Sequence, residues 1–263
     1  MTGDAGGDRR AVAARLLPCL DLTSLNDEDG PETIDALCRG AVTPFGPVAA
    51  VCLQPRFVAQ AKALLRDTAV RVATVANFPQ GTGTAAAIAG EIETSLRDGA
   101  DEIDVVINPV AYLAGARTAA MAPVAIARRC CGAHGRVKVI LETGRLARPD
   151  IMLAAARDAI AAGADFLKTS TGKTVPGATP EAAEMLLTAI RDHRRGADAT
   201  IGLKAAGGIR TVAQAAAYVD LAERFFGPPY VRPETFRIGA SSLLDDILAI
   251  LGHGCGSRTS GSY

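Results

Sequence analysis

Two lysines end consecutive apolar runs, and their spacing could produce a nucleophilic amine. Lys168 ends the run that begins at Gly163, and Lys204 ends the run that begins at Thr200. If the runs are neighbouring parallel strands about 4.8 Å apart, the two ammonium groups lie within several ångströms of each other. Lowering a lysine pKa by about 3 units costs about 4 kcal/mol, and a like charge at about 4 Å supplies roughly that much. The pair therefore predicts a nucleophilic lysine whose pKa is lowered by its neighbour. The alternative is that each lysine reaches the rim of the fold or pairs with a carboxylate.

A carboxylate in another apolar run could handle protons at such a site. Asp104 shares strand parity with Glu102, and its side chain could point into the barrel toward the lysines. A carboxylate there could relay protons, or it could be a buried salt-bridge partner that keeps a lysine charged. Lys138 and Glu142 share parity in the next run, and we expect them to form an internal ion pair.

Glycine-containing clusters follow three consecutive apolar runs. They are Gly172 with Lys173, Gly207 with Gly208, and Gly239 with Ser241 and Ser242. In barrel proteins the loops after strands seven and eight often bind phosphate through backbone N–H groups and a helix N-terminus. Taken alone, the two serines are typical of a helix cap. Three clusters at the same end of the strands favour a phosphate site, to which Lys173 and Arg210 could add positive charge.

The elements that must position these residues are short strands alternating with Ala-, Leu- and Arg-rich segments of helical length, which indicates βαβ units. The predicted strands are 17–22, 48–53, 70–76, 102–107, 136–142, 163–169, 200–205 and 235–240. With a C-terminal helix at about 242–251 they predict an α/β fold, a single (β/α)8 TIM barrel. A doubly wound sheet is the alternative. We expect a barrel catalytic domain over 1–251, which includes a short N-terminal extension, and a flexible tail over 252–263.

Because the active site of a barrel lies at the C-terminal ends of its strands, the polar residues that end the runs are candidates for one pocket. Asp21 and Thr23 end the first run. Cys52 ends the second, although a cysteine there is more often a small packing residue.

The charge balance bears on partners, since 28 Lys and Arg residues offset 28 Asp and Glu residues in the 263-residue chain. Without a run of like charge, the sequence indicates neither nucleic-acid binding nor attachment to an acidic membrane. No stretch reaches the roughly 18 apolar residues that span a bilayer. Six cysteines without CxxC spacing argue against a zinc site or disulfide framework, so we expect a cytoplasmic protein.

Five motifs resemble those of the deoxyribose-phosphate aldolase family, and the similarity runs from Asp21 to Tyr263. They are Asp21-Leu-Thr-Ser-Leu25, Asn77-Phe-Pro79, Asp101-Glu-Ile-Asp-Val-Val106, Lys168-Thr-Ser-Thr-Gly-Lys173 and Gly239-Ala-Ser-Ser-Leu243. The resemblance implies a class I, Schiff-base aldolase that reversibly cleaves 2-deoxy-D-ribose 5-phosphate to acetaldehyde and D-glyceraldehyde 3-phosphate. It implies a role in deoxyribonucleotide catabolism and requires no metal or organic cofactor.

The resemblance also implies roles for individual residues. Lys168 matches the Schiff-base lysine, Lys204 the lysine that perturbs it, and Asp104 the proton-relay carboxylate. Tyr263 matches a C-terminal tyrosine that some members use as a mobile proton donor. The implied substrate- and phosphate-binding positions are Asp21, Cys52, Thr171, Gly172, Lys173, Gly207, Gly208, Gly239, Ser241 and Ser242. One departure is Ala205, where the family usually has a proline directly after the lysine, and the change is expected to loosen the loop.

Two other functions remain open on the sequence. A Schiff-base aldolase with ketone donors, such as a transaldolase-like carbon transfer, would keep Lys168. A non-catalytic barrel that binds sugar phosphates would need no lysine with a lowered pKa. The expected partners are small-molecule sugar phosphates and aldehydes, with no nucleic acid and no membrane. A homodimer is compatible with the family, whose barrels often pair.

Overall fold

Eight parallel strands form a closed barrel in the computed structural model, which describes residues 5–194 and 201–252. The strands are β1 (Leu20–Thr23), β2 (Ala50–Leu53), β3 (Arg71–Ala76), β4 (Glu102–Val106), β5 (Arg136–Ile140), β6 (Phe166–Lys168), β7 (Gly202–Ala206) and β8 (Phe236–Ala240). Each strand pairs with the next one along the chain, and β8 pairs with β1 to close the barrel. The predicted barrel is confirmed, and closure excludes the doubly wound sheet.

Helices surround the barrel, and their bounds are α1 (Ala5–Leu16), α2 (Pro31–Gly40), α3 (Val58–Leu65), α4 (Ala85–Arg97), α5 (Pro109–Leu113), α6 (Arg117–Cys131), α7 (Thr143–Leu146), α8 (Pro149–Ala161), α9 (Pro180–Arg194), α10 (Val212–Phe226) and α11 (Leu243–Gly252). Thr179 caps the start of α9, since the Ala182 N–H donates to Thr179 Oγ1 at 3.1 Å. A two-residue hairpin, Val42–Thr43 with Gly46–Pro47, lies between α2 and β2.

Helix α1 was not predicted from the sequence, which gave only an extension at this end. It packs against α11 and α10. Arg10 fixes it to α11, because its guanidinium donates to the Leu251 carbonyl at 2.5 Å and the Ile250 carbonyl at 3.2 Å. Carbonyls in the last turn of a helix lack intrahelical partners, so a long-range arginine satisfies them.

Both faces of the barrel strands are buried, which divides the apolar core in two. Outward-facing residues such as Val51, Val139 and Leu203 pack against the helices. A smaller inner core lies on the β2 and β3 side of the barrel and consists of Leu25, Ala50, Cys52, Ala73 and Val75. The rest of the barrel interior is therefore available to polar side chains.

Two strands begin three residues later than predicted, and the other predicted strand bounds differ by two residues or fewer. Residues Leu17–Cys19 form a 3-10 turn around Pro18, because the fixed φ of proline suits such a turn, and β1 begins only at Leu20. Strand β6 begins at Phe166, three residues after Gly163, whose φ is +106°. The tail was predicted at 252–263; Gly252 ends α11, and the rest lies outside the described residues, so the division into barrel and tail stays a prediction. Over residues 5–194 and 201–252, the helices are too short or too polar to cross a membrane.

Candidate active site

The two lysines that end apolar runs lie side by side in the barrel. Strands β6 and β7 pair with Lys168 directly opposite Lys204, so the predicted adjacency is confirmed. Both ammonium groups donate to the same carboxylate oxygen, Asp104 Oδ2, at 2.8 Å each. Asp104 comes from β4, across the interior, and is fully buried.

These residues belong to a larger group of charged side chains that fills the barrel interior. Its seven members come from β1 and β4 to β8, and none is more than 2 % exposed: Asp21, Glu102, Asp104, Lys138, Lys168, Lys204 and Arg237. We call this group the interior charge cluster. Sequence reasoning missed Arg237, although an arginine in phase with Gly239 on a short apolar strand was a signal that it points inward.

Arg237 and Lys138 hold the carboxylates of the cluster from the side away from Lys168. The Arg237 guanidinium donates to Asp21 Oδ1 at 2.5 Å and to Glu102 Oε1 at 3.0 Å. The Lys138 ammonium lies 2.7 Å from both Asp104 Oδ1 and Glu102 Oε2, and 3.5 Å from Asp21 Oδ2. Every carboxylate in the cluster is thus bound by at least two cations.

The predicted pair of Lys138 with Glu142 was wrong. Strand β5 ends at Ile140, and Glu142 has left-handed backbone angles, φ 53° and ψ 59°, so strand alternation no longer sets the direction of its side chain. Its Oε2 accepts a hydrogen bond from the Thr171 hydroxyl at 2.6 Å. Glu142 therefore orders the loop after β6, and Lys138 turns to the carboxylates of β4.

The pKa values of the two lysines are shifted in opposite directions. Burial lowers the pKa of Lys168; Asp104 opposes this and the charge of Lys204 adds to it, so the pKa stays below its usual value. Burial also disfavours the charged form of Lys204, but Asp104 and Asp21 outweigh it and raise the pKa. Lys204 Nζ lies 2.5 Å from Asp21 Oδ2, although the approach is not aligned as a hydrogen bond. The like charge of Lys204, which the sequence predicted as the cause of the lowered Lys168 pKa, is a smaller contribution than burial.

Asp104 stays ionised despite complete burial. Burial raises its pKa, but Lys138, Lys168 and Lys204 together hold the pKa well below the usual range. The Cys52 sulfur lies 4.0 Å from Asp104 Oδ2, and burial raises the pKa of the thiol, so Cys52 is a neutral packing residue of the inner core.

A cleft of about 250 Å³ opens above Lys168. Its lining includes the predicted Thr171, Gly172, Lys173, Gly207, Gly208, Gly239 and Ser241, with Arg210, Thr23, Ser24 and Asn26 in addition. Ser242 is exposed and directly precedes α11, while Asp21 lies in the interior charge cluster. Sequence reasoning missed Ser24 and Asn26, although both lie within or next to the first of the five family motifs. Tyr263 lies outside the described residues.

Backbone conformation shapes the glycine-rich side of the cleft. Gly207 and Gly208 have φ of +99° and +86°, in the region that favours glycine. The Ala178 N–H donates to the Gly207 carbonyl at 3.0 Å, which joins the loops after β6 and β7. Successive turns of this kind direct backbone N–H groups into one concavity, the arrangement that binds anions. Ser241 and Ser242 add the N-terminus of α11 to the same side.

The acidic, histidine and cysteine side chains were possible metal ligands. In the part of the chain that the structure describes, no three His, Cys, Asp or Glu residues are grouped so as to hold a metal ion.

A closed parallel barrel with a cleft at the C-terminal ends of its strands has the architecture of a TIM-barrel enzyme. Residues 16–249 match the model of the DeoC/LacD family of aldolases. The chain therefore belongs to the DeoC/LacD aldolase family, and the predicted enzyme class, a carbon–carbon lyase, is confirmed.

Relatives and solved structures agree with this assignment. The chain is 46% identical over 255 residues to the deoxyribose-phosphate aldolase of Agrobacterium fabrum (strain C58), covering 97% of each sequence. A structure from Toxoplasma gondii ME49, provisionally described as a deoxyribose-phosphate aldolase, superposes with a TM-score of 0.85 at 25% identity, covering 98% of this chain and 99% of that one. The deoxyribose phosphate aldolase of Aeropyrum pernix, described as a unique tetramer, gives a TM-score of 0.73 at 26% identity, covering 96% of each. The predicted homodimer stays a prediction.

Proposed function

We propose that this aldolase reversibly cleaves 2-deoxy-D-ribose 5-phosphate to acetaldehyde and D-glyceraldehyde 3-phosphate through a Schiff base on Lys168. The observation that carries the proposal is the position of Lys168, which lines the cleft while its pKa is lowered. The Agrobacterium relative is named for the same activity. The cytoplasmic location and the catabolic role expected from the sequence belong to the same proposal.

The proposed chemistry begins at the aldehyde carbon of the open-chain sugar. The neutral Lys168 amine adds to this carbon, and loss of water from the carbinolamine gives an iminium ion. The C3 hydroxyl then loses a proton, the C2–C3 bond breaks, and its electron pair moves into the iminium, which leaves an enamine on Lys168 and releases glyceraldehyde 3-phosphate. Protonation of the enamine carbon and hydrolysis release acetaldehyde and restore the amine.

Asp104 and Lys204 are proposed to move the protons in these steps through a bound water. Asp104 Oδ2 lies 2.8 Å from both lysine nitrogens, which is hydrogen-bonding distance to the reacting amine. Lys204 remains charged because two carboxylates raise its pKa, so it can donate hydrogen bonds to the relay water and stabilise the alkoxide that forms at C3. For the enamine, we assign proton donation to water or to Tyr263, on the resemblance.

We propose that the substrate phosphate binds on the side of the cleft opposite Lys168. Backbone N–H groups around Gly172, Gly207 and Gly208 and the start of α11 would receive it, and Lys173 and Arg210 line the same cleft with positive charge. A phosphate held there leaves the sugar chain to extend toward Lys168, which places the aldehyde carbon at the amine.

The test is a set of donor and acceptor assays on the purified chain. With deoxyribose 5-phosphate, acetaldehyde release should be measurable by coupled reduction, and in the reverse direction acetaldehyde should be the preferred donor to glyceraldehyde 3-phosphate. Preference for dihydroxyacetone as donor would indicate transaldolase-like transfer instead. Binding of the sugar phosphate without any product would indicate a non-catalytic binding protein. Lys62→Met is the control, because Lys62 pairs with Asp101 away from the cleft.

A further inference from the structure

The interior charge cluster contains one more basic group than acidic groups. Its four bases are Lys138, Lys168, Lys204 and Arg237, and its three acids are Asp21, Glu102 and Asp104. If every base carried a proton, a net positive charge would remain among side chains that are at most 2 % exposed. An uncompensated buried charge is costly, so the cluster is most stable when one base is neutral.

The contacts decide which base gives up its proton. Lys138 lies within 3.5 Å of three carboxylates and Lys204 within 2.8 Å of two. Arg237 binds two and keeps its proton at any ordinary pH. Within the described part of the chain, Lys168 pairs with Asp104 alone, at an oxygen it shares with Lys204. A proton is therefore least stabilised on Lys168.

We propose that Lys138 and Arg237 are positioning residues for Lys168, because as permanent cations they occupy the carboxylates of the cluster and leave Lys168 as its neutral member. The inference rests on the proposed function, to which it adds a cause for the reactivity of the amine. Lys138 takes Asp104 Oδ1, so that only Oδ2 remains for the two lysines at the cleft. Arg237 takes Asp21 Oδ1 in the same way, with Lys204 at Oδ2.

The other groups near the cluster do not reverse the sign of this balance. Cys52 faces it from β2 as a neutral thiol. Glu142 lies beyond the end of β5 and accepts a hydrogen bond from Thr171. Arg136 approaches Glu102 at 3.6 Å with a third of its side chain exposed, which adds positive charge at the rim and reinforces the excess.

The experiment changes the charge of the cluster in both directions without touching Lys168, Lys204 or Asp104. Lys138→Met removes a cation, Glu102→Gln removes an anion, and the double variant removes both. The readout is the pH midpoint for reductive methylation of the Lys168 amine in the folded, substrate-free protein, resolved by peptide mass spectrometry. The chain has five lysines, so each amine can be followed separately.

The expected shifts have opposite signs. Lys138→Met should raise the midpoint by on the order of one pH unit, Glu102→Gln should lower it, and the double variant should return it toward the native value. A purely structural role of these residues would move all three variants in the same direction, or not at all, and either result would overturn the inference. If Lys138→Met alone does not fold, adding it to Glu102→Gln must still raise the midpoint again.

The methylation titration is independent of turnover, which separates the two claims. Opposite shifts in a protein that does not cleave deoxyribose 5-phosphate would support the inference about the cluster and contradict the proposed substrate. Cleavage of deoxyribose 5-phosphate without those shifts would support the proposed substrate and contradict the inference.

Discussion

Asp104 is the carboxylate that contacts all three lysines of the interior charge cluster. Three ammonium groups lie within 2.8 Å of its carboxylate, from Lys138, Lys168 and Lys204. The two roles that the sequence left open for Asp104, proton relay and salt-bridge partner, are compatible in this geometry. A carboxylate held ionised by two permanent cations is a hydrogen-bond acceptor for the third, reactive amine.

The first prediction concerns Asp104→Asn. Asp104 raises the pKa of Lys168 against the larger effect of burial, so removing its charge lowers that pKa further. The acidic limb of the pH–rate profile should therefore move to lower pH, while the plateau rate falls by about 10²- to 10⁴-fold through loss of the proton relay.

The measurement is the pH dependence of kcat/KM for cleavage of deoxyribose 5-phosphate. Cys52→Ser is the matched control, because Cys52 Sγ lies 4.0 Å from the same carboxylate oxygen and its substitution should leave the limb in place. A limb that moves to higher pH in Asp104→Asn would show that Asp104 does not govern the amine as described.

At the residue scale, the sequence allowed prediction of groups that end apolar runs. Lys168, Lys204 and Asp104 could be placed because strand alternation and parallel pairing fix where such residues point. Glu142 could not be placed, because a single left-handed residue after the strand breaks that alternation. The partners of Arg237 depend on contacts across the barrel, 216 and 135 positions away in sequence, which no local pattern encodes.

At the scale of structural elements, the loops after β6 and β7 pack directly against each other. Gly177 packs against Gly207 so closely that a Cβ at position 177 would lie 2.5 Å from the Gly207 carbonyl oxygen. The Ala178 N–H holds the same oxygen at 3.0 Å. The conformation of the proposed phosphate loop is therefore set by the neighbouring loop.

The second prediction is that Gly177→Ala weakens phosphate recognition. The added methyl group must displace the Gly207 backbone, so KM for deoxyribose 5-phosphate should rise about tenfold or more with a much smaller change in kcat. Activity on unphosphorylated deoxyribose should change little. Gly90→Ala in α4 is the control, since a Cβ there meets no atom within 4 Å. An equal loss on both substrates would place the damage in the catalytic groups instead.

The order of strands and helices could largely be predicted from the sequence, but the structure of the loops could not. The eight strands followed from short apolar runs, whereas the join between two glycine-rich loops depends on their meeting in space. Ala205 illustrates the limit. The departure from proline was expected to loosen a loop, but Ala205 is fully buried inside β7 and paired in register with Ile238.

At the scale of the whole molecule, a lysine kept neutral by its surroundings costs stability. The folded pKa of Lys168 lies below the usual value of 10.5. Between those two pH values the unfolded chain binds more protons than the folded one, so the free energy of unfolding falls as pH falls from 10.5 to the folded pKa. Below the folded pKa the loss is complete and constant.

The third prediction follows for Lys168→Met, which removes this titration but keeps the volume of the side chain. The variant should be more stable than the native chain by about 1 kcal/mol at pH 7, with a smaller advantage at pH 10. Urea unfolding at the two pH values measures the difference. Lys62→Met serves as control, because a half-exposed ion pair contributes little and should give no gain. A native chain that is the more stable of the two at pH 7 would contradict the account.

Fold class at this scale was predictable because eight βα units with turn-bounded strands leave few ways to bury both faces of a sheet. Helix α1 was missed for the opposite reason. Its sequence, Ala-Gly-Gly-Asp followed by arginines, has little helical amphipathicity, and its packing against α11 involves residues more than 200 positions away.

The measurement that tests the central claim most directly is covalent trapping on Lys168. The native chain, Lys168→Met and Lys62→Met are each mixed with deoxyribose 5-phosphate and borohydride, and their peptides are mapped by mass spectrometry. We predict a reduced adduct on Lys168 in the native chain and in Lys62→Met, and no adduct in Lys168→Met. An adduct on another lysine, or none in a folded native chain that binds the sugar phosphate, would contradict the Schiff-base mechanism.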